Sequence, residues 1–111
     1  NLFAKNNQKT FKTEIEKVKH EALNTPVQGI VAALEGMKIR PDRSSILKNS
    51  TFSKLMIIGT QDPIMGYDTL IKEANETETN YVKISGGHMS YIENEINFLQ
   101  EIVRFIDFFN F

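Results

Sequence analysis

The chain has 111 residues, room for one domain with one modest core. Hydrophobic residues make up 41% and charged residues 24%, a globular balance that excludes wholesale disorder. The formal net charge of −1 gives no basic surface for nucleic acid, and with 0 cysteines there are no disulfide staples or thiolate metal sites. No apolar run approaches the ~20 residues of a membrane span, and the first residues lack the pattern of a signal peptide. A cytoplasmic protein with no membrane partner is therefore expected. The first residue is Asn1 rather than Met, which points to missing upstream sequence, a processed start or a tag.

In chain order, Phe11, Ile15, Val18 and Ala22 recur at helical spacing with Lys and Glu between them, so residues 8–23 read as an amphipathic helix. Thr25-Pro26-Val27-Gln28 then opens a second helix, with Thr25 as cap, Pro26 at the first helical position and Gln28 reaching back. Val27, Ile30, Val31, Leu34 and Met37 form its apolar face, and Pro41 stops it. Gly29 and Gly36 lie inside this helix, each costing ~1 kcal/mol against Ala, which points either to a close approach or to tolerated glycines.

Leu55-Met56-Ile57-Ile58 is wholly apolar and ends at Gly59, as expected of a strand covered on both faces. Tyr67, Leu70, Ile71 and Ala74 mark a third helix, and Tyr81-Val82-Lys83-Ile84-Ser85 a second, more mixed strand. Strand, helix and strand make a βαβ unit, which is expected to be parallel. A last helix is expected from about Glu95 to Phe109, apolar around most of its girth and so deeply buried. Two strands cannot cover a run apolar on both faces, and each exposed side chain forfeits ~1.5–3 kcal/mol. The fold is expected to need more sheet, from an N-terminal portion or from a second copy of the chain.

Two loops carry the candidate chemistry. Gly59-Thr60-Gln61-Asp62-Pro63 follows the apolar strand, and Gly86-Gly87-His88-Met89-Ser90 follows the mixed one. Ligands of open parallel sheets bind at that edge. An Asp62 carboxylate beside the His88 imidazole fixes the ring's tautomer and leaves the far nitrogen as a base. Singly, an Asp-Pro is usually a turn and a His after two glycines an exposed side chain. Together at two successive strand ends they favour catalysis.

These two stretches, with the run Gly86-Gly87-His88-Met89-Ser90-Tyr91-Ile92-Glu93, resemble the closing section of the α/β-hydrolase family, whose chain order is nucleophile, acid, base. Residues 29–37 followed by Arg40-Pro41-Asp42-Arg43 resemble the end of the helical cap in its esterase- and lactonase-like members. The resemblance implies an α/β fold class: the C-terminal part of a hydrolase, parallel strands with flanking helices plus part of a cap, incomplete as a self-contained domain. Residues 1–50 would be the end of the cap with a connecting segment, and residues 51–111 the C-terminal βαβα part of the core. It also implies a serine hydrolase acting on a small ester, lactone or related carbonyl substrate, with Asp62 as acid and His88 as base. No Ser is flanked by glycines as in the family's nucleophile elbow, so nucleophile and oxyanion hole are expected elsewhere. The chain alone should not turn over an ester. The alternative is a non-catalytic fragment, or a binding or receptor protein keeping the hydrolase scaffold.

Met37 and Met89 are candidates to line the substrate pocket, although methionine is more often core filler. Glu93 either contacts the base or, as the blander reading, caps the last helix. Arg40, Asp42 and Arg43 suggest a salt-bridged turn, and His20 a solvent-facing side chain. Asn49-Ser50-Thr51 and Asn75-Glu76-Thr77 match the glycosylation sequon, which matters only in a secreted protein. No spacing fits a metal site, so neither metal nor cofactor is expected. Expected partners are the small-molecule substrate and either the missing N-terminal portion or a second copy.

Overall fold

A computed structural model describes residues 1–108. A single 3₁₀ turn, Lys5–Asn7, leads into α1 (Lys12–Leu23), α2 (Val27–Ile39) and the short α3 (Ser44–Asn49). Then come β1 (Leu55–Gly59), α4 (Tyr67–Glu76), β2 (Asn80–Ile84), α5 (Ser90–Glu93) and α6 (Glu95–Phe108). The expected extension of α6 to Phe109 lies outside the described residues.

The strands pair parallel with Leu55 opposite Asn80 and Gly59 opposite Ile84, and α4 forms the crossover between them. Within this unit the sequence and the fold agree. The wider fold class does not hold: the described residues form a small, mostly helical domain, 57% helix, with two short parallel strands. It is not a parallel-strand portion of an α/β hydrolase. The physical reason is how little sheet there is. Five residues per strand give β1 one neighbour, and Leu55, Met56 and Ile57 stay half-exposed while only Ile58 and Gly59 are buried. The expectation of a strand covered on both faces fails with it.

The core is correspondingly small and gathers around the sheet. Ile58, Ala74 and Ile84 are buried, and so are Phe3, Ala4 and Ile15. Phe3 stacks on Phe11 with ring centres 6.0 Å apart, tying the N-terminal segment to the start of α1. The α4–β2 connection is a Schellman turn. The Thr79 N–H donates to Ala74 O (2.8 Å) and the Glu78 N–H to Asn75 O (3.2 Å), with Glu78 in the left-handed region at φ 53°. Buried Thr77 and Thr79 satisfy each other's hydroxyls at 2.9 Å. The Lys54 ammonium donates to Leu47 O (2.7 Å) and Thr77 O (3.0 Å), pinning the end of α3 to the end of α4.

Two helical expectations change. Thr25 does not cap α2: its hydroxyl donates back to Glu21 O at 3.0 Å, finishing α1 instead. The last helix is not deeply buried. No residue of α6 is buried, and Ile96, Leu99, Val103 and Ile106 face solvent while Phe98, Ile102 and Phe105 are half-buried. Residues 21–43 are exposed throughout, so the apolar face of α2 lies open. A Cβ at Gly29 or Gly36 would meet nothing within 4 Å, which selects the tolerated-glycine reading. No helix is long and apolar enough to cross a membrane among the described residues.

Candidate functional site

The site is built where the two parallel strands end. Register puts Gly59 beside Ile84, so the loops that follow leave the sheet side by side. The Thr60 N–H donates to Ile84 O (3.0 Å) and the Gln61 N–H to Gly86 O (2.9 Å), carrying the ladder two residues beyond β1. The Gln61 side chain returns the contact, accepting the Gly86 N–H at 2.8 Å. Glycine is required at this junction for closeness. A Cβ on Gly59 would land on the carbonyl oxygens of Gly87 and Gly86, and one on Gly87 would lie 2.5 Å from Ala4 N. Gly86 is also held at φ 135°, which side chains rarely adopt.

The loops bring Asp62 and His88 together, 26 residues apart in sequence. His88 Nδ1 lies 2.9 Å from Asp62 Oδ2. The other carboxylate oxygen accepts the N–H groups of Ile64 (2.8 Å) and Met65 (3.0 Å), which fixes the carboxylate plane. Partial burial pushes this carboxyl up. The bond from His88, those from Met65 and Ile64, and the imidazole's charge outweigh it, so Asp62 is held below the usual carboxylate range. An ionised carboxylate only accepts, so Nδ1 carries the proton and the lone pair of the neutral ring sits on Nε2. Among the described residues no hydrogen bond reaches Nε2. The Asp62 side chain is 6% exposed and that of His88 39%, an acid sheltered beneath a base open to solvent.

Two more residues shape the site: Gln61, to which sequence reasoning assigned no role, and Glu93, for which it offered contact with the base or a cap on the last helix. Gln61 ties the two loops as described. Glu93 neither caps α6 nor touches the imidazole. Its Oε2 accepts the Gly87 N–H at 2.7 Å, and its Oε1 accepts the Ala4 N–H (2.8 Å) and the Asn7 side-chain amide (2.9 Å). The His88 N–H donates to Leu2 O at 2.9 Å, so the N-terminal segment lies along the base loop. Gln61 stood in plain view within its loop. Glu93 stood within the base-bearing run, but two of its partners lie 86 and 89 residues away and leave no periodicity that would reveal its role.

The remaining candidates disperse. Met89 follows the base and its sulfur takes the Tyr91 hydroxyl at 3.7 Å. Met37 instead borders a groove with Pro41, Ile46, Leu47 and Phe52, which neither Asp62 nor His88 lines. Asp42 accepts the Ser44 N–H (2.8 Å) and hydroxyl (2.6 Å), starting α3 rather than bridging to arginine. His20 is exposed on α1, its Nε2 3.0 Å from the Asn24 amide. Among the described residues no group of three or more His, Asp or Glu side chains converges on a point a metal could occupy.

No protein-family model matches the sequence, and no curated protein matches it. An imidazole that is oriented by a sheltered, ionised carboxylate and whose far nitrogen is open can accept a proton from a hydroxyl and return it to a leaving group.

Proposed function

We propose that Asp62 and His88 are the acid and base of a serine-hydrolase triad acting on a small ester, lactone or related carbonyl substrate. A hydroxyl from outside these 111 residues serves as nucleophile. The observation that carries this reading is the 2.9 Å contact of His88 Nδ1 with an Asp62 carboxylate already held by two backbone N–H groups. His88 Nε2 takes the nucleophile's proton as the hydroxyl oxygen attacks the carbonyl carbon, and delivers it to the leaving oxygen as the tetrahedral intermediate collapses. Asp62 stays ionised throughout and stabilises the imidazolium. The resemblance of the Gly86–Glu93 run to the base-bearing segment of serine hydrolases supports the same reading. So does the pairing of a sheltered acid with a solvent-facing base. The cysteine-free sequence fits a cytoplasmic setting for this chemistry.

The test is kinetic, in the assembly that supplies the nucleophile, with a short p-nitrophenyl ester. Asp62→Asn should lower kcat by ~10⁴-fold through the wrong imidazole tautomer, and His88→Ala by at least as much. Near-normal turnover in either variant refutes the assignment. A second reading, a non-catalytic binding or receptor protein, is favoured by one observation: no hydroxyl or thiol among the described residues reaches Nε2. An assembly with no ester turnover at all, and no serine labelled by a fluorophosphonate, would decide for it.

A further inference from the structure

We infer that Glu93 is a positioning residue for His88: by holding the Gly87 peptide from behind, its carboxylate sets where the imidazole stands over Asp62. The inference rests on reading Asp62 and His88 as a catalytic pair. Gly86-Gly87 has no side chains of its own to pack, so anchors from elsewhere must fix the route of the chain into His88. Gln61 holds Gly86 from the acid side. On the opposite side the next two N–H groups are taken in succession, Gly87 by Glu93 Oε2 (2.7 Å) and His88 by Leu2 O (2.9 Å). Glu93 also secures that second anchor, because its other oxygen holds the Ala4 N–H at 2.8 Å and Ala4 is fully buried. One carboxylate thus supports both peptide N–H groups leading into the base.

Glu93 reaches this place because α5 is a single turn, its Ile92 and Glu93 N–H groups returning to Met89 O at 2.8 and 3.0 Å. That turn folds the side chain back over the loop it follows. Three N–H donors converge on the carboxylate, and no other described side chain accepts from Gly87. Removing it strands the buried N–H groups of Gly87 and Ala4, and the loop must move to rehydrate them. Hydrogen bonds weaken steeply as distance and angle depart from ideal, so such a movement weakens the Nδ1–Oδ2 contact.

The test reads the imidazole directly. The ¹⁵N-labelled chain carrying His20→Gln leaves one histidine, observed by long-range ¹H–¹⁵N correlation at pH ~8, above the ordinary imidazole range. The starting protein should show a protonated Nδ1 and a bare Nε2. Glu93→Ala should lose this preference, both nitrogens moving to averaged, mixed-tautomer positions, while the amide spectrum stays dispersed. Glu93→Gln should lose it in part, since one of its two termini faces N–H donors with an NH₂. A dispersed Glu93→Ala spectrum with the starting imidazole signature overturns the positioning role and leaves the pair intact. A starting protein without protonated Nδ1 instead sinks the catalytic pair itself. Should Glu93→Ala not fold, warming the unsubstituted chain decides. The Gly87 amide and the His88 Nδ1 proton should lose exchange protection in one step, and an Nδ1 proton outlasting Gly87 protection overturns the role.

Discussion

Replacing Gly59 by alanine probes a close approach between two backbone segments. The new methyl points at the backbone of the opposite loop, with Gly86 O at 2.7 Å and Gly87 O nearer still. Carbonyl oxygens cannot rotate away as a side-chain tip can, so the two loops must separate. Overpacking of a tight site costs ~1–3 kcal/mol. The separation also stretches the bonds from Thr60 N to Ile84 O and from Gln61 N to Gly86 O, each contributing ~0.5–1.5 kcal/mol. Together the loss is about 2–6 kcal/mol, a large fraction of the ~5–15 kcal/mol by which a domain is ordinarily stable. Equilibrium urea unfolding followed by circular dichroism measures it. Gly29→Ala is the internal contrast: nothing lies within 4 Å, the site is an exposed helix interior, and a gain of ~0.5–1 kcal/mol is expected. If Gly59→Ala shifted stability by under ~0.5 kcal/mol, typical of an uncrowded surface site, the close-approach reasoning would be wrong.

Asp62 makes stability pH-dependent with a definite sign. Its folded carboxyl is held below the unfolded value of ~3.9, so its contribution is present above that pH and fades as pH falls through the lower folded value. Asp62→Asn should therefore cost stability at neutral pH by an amount that shrinks towards pH ~2, and a gap constant across that window contradicts the assignment. Glu78→Gly should stabilise by up to ~1 kcal/mol, because glycine removes the left-handed penalty at φ 53° but costs part of the gain in unfolded-state entropy; a loss in urea melts argues against the strain. Self-association through the open apolar faces should fall in Leu34→Lys and Val103→Lys, residues 58% and 54% exposed, with folding free energy changed by less than ~0.5 kcal/mol. Sedimentation velocity checks this, and a strictly monomeric starting protein removes the premise.

What the sequence made legible was periodic or local. The spacing of Phe11, Ile15, Val18 and Ala22 marks α1, and Tyr67, Leu70, Ile71 and Ala74 mark α4, because one helical face repeats every three or four residues. The apolar run and its glycine mark β1, and the two strand-end loops led to the Asp62–His88 contact. α3 and α5 escaped, since six and four residues are too short for a period to show. Burial escaped as well. The girdle of apolar residues on α6 favours cover, but hydrophobicity states what a surface prefers, not what lies against it. Placing Glu93 needed knowledge that residues 2–7 return to residues 87–93, a tertiary fact with no local trace.

That return has a consequence for the order in which the protein is made. During synthesis the helical period of residues 12–39 is complete, and able to form, long before residues 87–93 leave the ribosome. Leu2 and Ala4 must wait until the chain has grown as far as Glu93, 89 residues beyond Ala4, before the amide and the carboxylate that bind them exist. Closing so long a loop is entropically slow. The geometry around the imidazole therefore waits on a long-range closure, and it should loosen whenever the contacts between residues 2–7 and 87–93 open.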